Sequence, residues 1–241
     1  MSEKKQLIEQ LKNGLIVSCQ ATPDEPHYME GVTVMMARCA KWAGAVAIRA
    51  NTPHDVRAIA DETGLPVIGL WKINRGVKEV YLTPTIEAAK ELHDAGAEII
   101  AAQATSHLRD DGKPAYEIVK EIKQKIPGAL VFADVRNAED AKIAAEYGAD
   151  FVAPTLYRYT GSPQELVQVS HNFGPDYELL AGVLEAVKGT KSLVVMEGRV
   201  NTPEQAVQCL YMGAHAVVVG NAITRPHMAA KRFADAINGY R

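Results

Sequence analysis

A chain of 241 residues, 47% apolar and 23% charged, is long enough for one large globular domain with a substantial core. Its net charge of −3 gives no reason to expect nucleic acid or an anionic membrane as the main partner, and no stretch approaches the ~20 apolar residues that a transmembrane helix needs. Cys19, Cys39 and Cys209 have no metal-like spacing and read as packed, reduced thiols of a cytoplasmic protein; Cys19, close to a strand end, is the one open to modifying reagents.

Taken in order, Met1 to Leu11 reads as a short amphipathic helix and not as a signal peptide. Leu15-Ile16-Val17-Ser18-Cys19-Gln20 is an apolar run ending on an amide, followed by a helix with apolar residues at Val34, Met35, Cys39 and Trp42 that stops at Gly44. Ala45 to Arg49 repeats the pattern of apolar run and polar tip, and Asn51-Thr52-Pro53 opens a helix that ends at Gly64. Pro66-Val67-Ile68-Gly69-Leu70-Trp71-Lys72 reads as a third strand, buried on both faces and carrying an ammonium at its tip. A charge left in a dry strand costs several kcal/mol unless it is paired or faces a wet cleft.

Further strands are predicted at Glu98–Gln103, Leu130–Asp134, Phe151–Thr155, Leu193–Gly198 and Ala216–Gly220, separated by helices starting near Thr85, Ala115, Asn137, Tyr177 and Pro203. A last helix closes the chain, and a long connection carrying Tyr157, Arg158, Tyr159 and His171 follows strand six. Gly44-Ala45, Gly96-Ala97, Gly128-Ala129, Gly148-Ala149 and Gly213-Ala214 repeat one helix-to-strand solution, with glycine as the left-handed cap. Eight strands alternating with eight helices predict a single α/β domain over 1–241, a (β/α)8 TIM barrel with a short N-terminal helix; an open doubly wound sheet is the runner-up.

The strand tips form a constellation. Odd strands offer Gln20, Lys72, Asp134 and Glu197, which would ring the mouth with Lys72 across from Glu197; even strands add Arg49, Gln103, Thr155 and Gly220. Plainer roles stay open for some of these: a snorkelling cap for Lys72, a helix cap for Asp134, core hydrogen bonding for Gln20 and Thr155. The stretches Glu197-Gly198-Arg199-Val200-Asn201-Thr202-Pro203 and Gly220-Asn221-Ala222-Ile223-Thr224-Arg225-Pro226 both follow late strands and lead into helices, a pattern suited to a phosphate gripped by Arg225. No Gly-x-Ser-x-Gly elbow, Rossmann glycine triplet or metal-spaced His/Cys cluster occurs, and the seven histidines are scattered, so no metal and no cofactor is expected. A tunable lysine with carboxylates favours proton transfer or Schiff-base chemistry on a phosphorylated carbonyl or sugar compound.

Val17-Ser18-Cys19-Gln20-Ala21, Ile48-Arg49-Ala50-Asn51, Leu65-Pro66-Val67-Ile68-Gly69 with Lys72, Ala133-Asp134, Glu197-Gly198 and Ala222-Ile223-Thr224-Arg225-Pro226 extend over nearly the whole chain. In this order and at these spacings they resemble the N-acetylmannosamine-6-phosphate 2-epimerases (N-acylglucosamine-6-phosphate 2-epimerases). The resemblance implies a bacterial TIM barrel that interconverts the two amino-sugar phosphates in sialic acid catabolism. It implies Lys72 and Glu197 as the acid/base pair. Gln20, Arg49 and Asp134, with Thr155 and Tyr159, would hold the sugar, and Arg225 with Gly198, Gly220 and Asn221 the phosphate. Two departures stand out: Gln103-Ala104-Thr105 where the family usually shows Asp-Ala-Thr, and Arg158 where it usually has a small residue. The rival readings are a Schiff-base aldolase acting through Lys72 and a catalytically idle sugar-phosphate-binding barrel. Barrels of this kind often form a homodimer through their outer helices, but no exposed apolar stripe in the sequence names a face.

Overall fold

The structure is a computed structural model that describes residues 3–73, 80–157 and 174–240. Eight short runs of β-branched and small residues form β1 (Gly14–Cys19), β2 (Ala47–Asn51), β3 (Val67–Leu70), β4 (Ile99–Gln103), β5 (Leu130–Asp134), β6 (Phe151–Ala153), β7 (Leu193–Glu197) and β8 (Ala216–Val219). Each pairs in parallel with the next, and β8 returns to β1 in the register Leu15↔Val217 and Val17↔Val219, which closes the barrel in chain order. That closure excludes the open doubly wound sheet.

Side chains alternate along a strand, so the register sorts each run into an axial set and an outer set. Ile16, Ala47, Ile68, Leu70, Ile99, Leu130, Phe132, Phe151, Val195 and Val218 fill the axis. Their strand neighbours, such as Val17, Ile48, Val67, Ile100, Val131 and Val217, pack outward against the helices. These are α2 (Val32–Trp42), α3 (Pro53–Thr63), α4 (Ile86–Asp94), α5 (Glu117–Lys125), α6 (Ala138–Glu146), α7 (Tyr177–Ala186) and α8 (Pro203–Tyr211). Thr85, Asn137, Asp176 and Thr202 cap their helices by accepting from the N–H three residues on, at 3.2, 2.9, 2.9 and 3.3 Å. The opening helix α1 (Glu3–Leu11) closes the lower end: Leu11 joins the axial set, Leu7 and Ile8 pack beneath it, and His215 Nε2 donates to the Ile8 carbonyl at 2.9 Å.

Several expectations are corrected. The buried face of α2 is Val32, Thr33, Met36, Ala37 and Ala40, whereas Met35 and Trp42 are exposed. Of the apolar residues noticed in the sequence, Val34 packs partly against the core, while Met35, Cys39 and Trp42 lie on the exposed side. Cys39 is therefore the exposed thiol, while Cys19 points outward into the packed shell and burial pushes its pKa up to about 12. Gly44, Gly96, Gly148 and Gly213 adopt positive φ as expected, but Gly128, which follows Pro127, does not.

After β8 come the short α9 (Asn221–Thr224) and α10 (Pro226–Tyr240). None of the 15 residues of α10 is buried, and Phe233, Ile237 and Tyr240 recur at helical spacing with 73%, 58% and 93% exposure. This is the apolar stripe that the sequence did not reveal.

Candidate active site

The strand ends at the upper rim carry polar side chains where the axial set would otherwise continue. Arg49 on β2 crosses the barrel to Asp134 on β5, with Nη2 donating to Oδ2 at 2.7 Å, and to Glu197 on β7, with Nη1 donating to Oε2. Arg49 and Asp134 are almost wholly buried, while Glu197 keeps 14% of its side chain open. The guanidinium also lies over the Phe132 ring, 5.1 Å from its centroid. Even and odd strands are thus joined in one cluster.

Lys72 is placed differently from the sequence reading. β3 ends at Leu70, and Lys72 lies two residues beyond it with its side chain exposed to a cavity of about 500 Å³ at the mouth. A short antiparallel extension fixes its backbone: Ile73 N–H donates to the Tyr81 carbonyl and Thr83 N–H to that of Trp71, both at 2.8 Å. Asn51 Oδ1 accepts from the Lys72 N–H at 2.9 Å. Gln20, Arg49, Lys72, Thr155, Glu197, Gly198, Gly220, Asn221 and Arg225 all line this cavity. Asp134 is not among its lining residues; it sits behind Arg49 and holds it. Tyr159, like Arg158 and His171, lies outside the described residues.

The electrostatics of the cluster follow from two carboxylates sharing one guanidinium inside the protein. Burial raises the Glu197 pKa to about 7, the attraction of Arg49 opposing and the charge of Asp134 assisting. Asp134 is likewise raised, chiefly by burial. Lys72 moves the other way: loss of hydration between the cavity walls lowers it, and the charges of Arg49 and Arg225 lower it further, against the pull of Glu197 and Asp134. An acid drawn up and an amine drawn down approach each other in proton affinity, which is what a pair of groups exchanging protons near neutral pH requires.

At the far wall, Gly198 and Arg199 both have positive φ, and a Cβ at Gly220 would stand 3.4 Å from Ser18 Cβ. Thr224 Oγ1 donates to the Ser18 carbonyl at 3.0 Å and ties α9 to β1. The Arg225 guanidinium donates to Glu25 and to Asn221 Oδ1. Burial pushes the Glu25 carboxyl up, but hydrogen bonds from Arg225 and the Thr22 N–H outweigh it and leave it below the ordinary value.

Gln20 Nε2 donates to Ser18 Oγ at 2.9 Å, and its buried Oε1 makes no hydrogen bond. Gln103 lies away from the cavity lining. Its Oε1 accepts from the Tyr81 N–H at 3.3 Å and its Nε2 donates to Thr105 Oγ1 at 3.2 Å, so the amide braces the extension that carries Lys72. Among the acidic, basic and imidazole side chains of the cavity, Glu25, His227 and Arg199 had no assigned role in the sequence reading. His27 and His227, 200 positions apart, stack with centroids 4.9 Å apart beside Glu25. Local spacing could not find that pair; Arg199 stood in a stretch already noted for its glycine and helix start.

A family model described as "NanE: Putative N-acetylmannosamine-6-phosphate epimerase" matches residues 33–239. A relative from Caldanaerobacter subterraneus subsp. tengcongensis is 43% identical over 235 residues, covering 98% of this chain and 95% of its own. One from Listeria welshimeri is 40% identical over 225 residues, covering 93% and 92%. Both carry the name N-acetylmannosamine-6-phosphate 2-epimerase, prefixed as putative. Among solved structures, the N-acetylmannosamine-6-phosphate 2-epimerase from Clostridium perfringens superposes with a TM-score of 0.84 at 38% identity, covering 95% of this chain and 96% of that one. With a closed barrel, a buried Arg–carboxylate cluster and matches of this extent, the chain belongs to the N-acetylmannosamine-6-phosphate 2-epimerase family.

Proposed function

We propose that this protein is an isomerase that inverts C2 of an N-acylhexosamine 6-phosphate, interconverting N-acetylmannosamine 6-phosphate and N-acetylglucosamine 6-phosphate. The observation that carries the reading is one cavity lined by both Glu197 and Lys72, whose proton affinities are drawn toward each other, with Arg225 at its far wall.

Inversion needs the C2 proton removed from one face and a proton returned to the other. That proton becomes acidic when C1 is a carbonyl, because the electron pair left on C2 then delocalises onto the C1 oxygen. Lys72 and Glu197 take the two proton-transfer roles. Arg49, held by Asp134, keeps Glu197 in place and sets its charge. Gln20 and Thr155 serve the sugar, Gln20 with an Oε1 free to accept from a hydroxyl, and Tyr159 joins them. Arg225, Asn221 and the backbones of Gly198 and Gly220 serve the phosphate. A cavity of about 500 Å³ suits a hexose phosphate.

Turnover in deuterated water tests the reading. Deuterium should appear at C2 of both amino-sugar phosphates at a rate comparable with epimerisation. A chain that binds either compound yet incorporates none is a binding protein and not an epimerase, and a borohydride-trapped adduct on Lys72 would favour the aldolase chemistry instead.

The same reading makes the protein a cytoplasmic homodimer that acts on a small sugar phosphate. The exposed stripe of α10 supports a second copy as its cover, because an apolar face of this kind is stabilised by burial. Light scattering should give twice the 26.1 kDa chain mass, and Phe233→Glu with Ile237→Glu should return the monomer. Among the described residues no helix is long and apolar enough to cross a membrane.

A further inference from the structure

At the cavity rim, the loop after β1 and the start of α10 bring together Glu25, His27 and His227. One donor atom from each lies within 4.8 Å of the other two, and the imidazole rings stack at 27°. Both ring nitrogens of His27, and Nδ1 of His227, are withdrawn from water without any hydrogen-bond partner. A buried polar atom left so is destabilising, and two imidazoles in this condition side by side call for a ligand. His227 Nε2 stands 4.0 Å from Glu25 Oε1, so the carboxylate faces the same point as the rings.

We propose that Glu25, His27 and His227 bind a divalent transition cation of the zinc class. Two imidazoles and one carboxylate suit zinc and its neighbours better than calcium or magnesium, which take all-oxygen shells. Tetrahedral bonds of about 2.0 Å need donor atoms about 3.3 Å apart, so the three side chains close inward on the ion by rotation about their χ angles. Glu25 can serve both neighbours: Oε2 accepts from the Thr22 N–H and hydroxyl and from Arg225 Nη2, whereas Oε1, which faces His227, accepts from Arg225 Nε and keeps a second lone pair. Glu25 and His227 line the cavity, so the fourth coordination position opens into it, as in zinc sites with three protein ligands. The proposal does not rest on the reaction proposed above, although Glu25 also accepts from Arg225 at the same cavity.

The test is a titration of the tag-free full chain with Co²⁺, read by its visible absorption, and with Zn²⁺, read by calorimetry. Both run near neutral pH in phosphate-free buffer. All proteins carry Cys39→Ser, because that exposed thiol is a competing ligand. The parent should bind one cation per chain with the bands of a four- or five-coordinate site. His27→Gln and His227→Gln should each weaken binding about 100-fold or more. Binding that both variants retain, or no saturable binding by the parent, overturns the proposal. An NMR arm depends on no variant folding: Zn²⁺ should shift the ring proton signals of His27 and His227 in the parent while leaving those of exposed His54 in place. The reverse pattern would place any bound ion elsewhere.

Discussion

The two ends of the barrel are built from the same strands and behave as different materials. Below, Ile16, Ile99, Leu130 and Phe151 meet Leu11 in a hydrocarbon plug. Above, at positions of the same inward parity, Arg49, Asp134 and Glu197 form a buried ionic cluster open to a cavity. Replacing a buried ion cluster with well-packed apolar residues is often neutral or stabilising. The upper end therefore holds chemistry at a cost in stability that the lower end offsets.

Substitutions can break this contrast from either side. The largest effect belongs above: Glu197→Gln and Lys72→Ala should each reduce kcat by about 10²–10⁴-fold, the worth of a positioned acid or base, while thermal melting does not fall below the parent value. A parallel loss of stability would mean that the upper end also carries the fold. Next comes Phe151→Ala at the foot of β6, which should cost about 3–5 kcal/mol in urea unfolding yet leave kcat nearly unchanged at temperatures where the chain is folded.

A smaller effect sharpens the contrast through pH. Glu197 titrates at about 7 in the folded chain and at about 4.3 in an unfolded one, so the folded state holds the extra proton between these values. Its contribution to stability is complete below about pH 4 and is lost as pH rises through about 7. The stability difference between the parent and Glu197→Gln should change across that window and level off above it; a flat difference would show that the carboxyl is not raised. Smallest is Thr202→Ala, which removes the cap of α8 and should cost about 1 kcal/mol without altering the pH profile.

Much of this was legible in the chain because it is local. Apolar runs ending on Gln20, Arg49, Lys72, Asp134, Thr155 and Glu197 show themselves within a few residues, as does the capped helix start at Asn51-Thr52-Pro53, where Thr52 is the cap. What stayed hidden depends on distance or on direction. Arg49 meets Asp134 and Glu197 across 85 and 148 positions, and no local pattern states that one guanidinium serves both. Lys72 looked like the end of a buried strand because Trp71 continues the apolar run, but pairing of 71–73 with 81–83 takes the chain out of the barrel wall. On α2 the buried face mixes Val32 and Met36 with the small Thr33, Ala37 and Ala40 while Met35 and Trp42 face out, so hydrophobic size alone pointed to the wrong side.

The helix that closes the lower end has a consequence for the order of synthesis. Lys4 Nζ donates to the carbonyls of Pro127 and Ala129, 123 and 125 positions later, and Ile8 waits 207 positions for His215. A segment that leaves the ribosome ahead of every strand is thus among the last to find its place. Until β8 has emerged, Leu7, Ile8 and Leu11 remain without their native cover, so a nascent chain stalled before residue 215 should be cut by protease within its first dozen residues, and a released full-length chain should not.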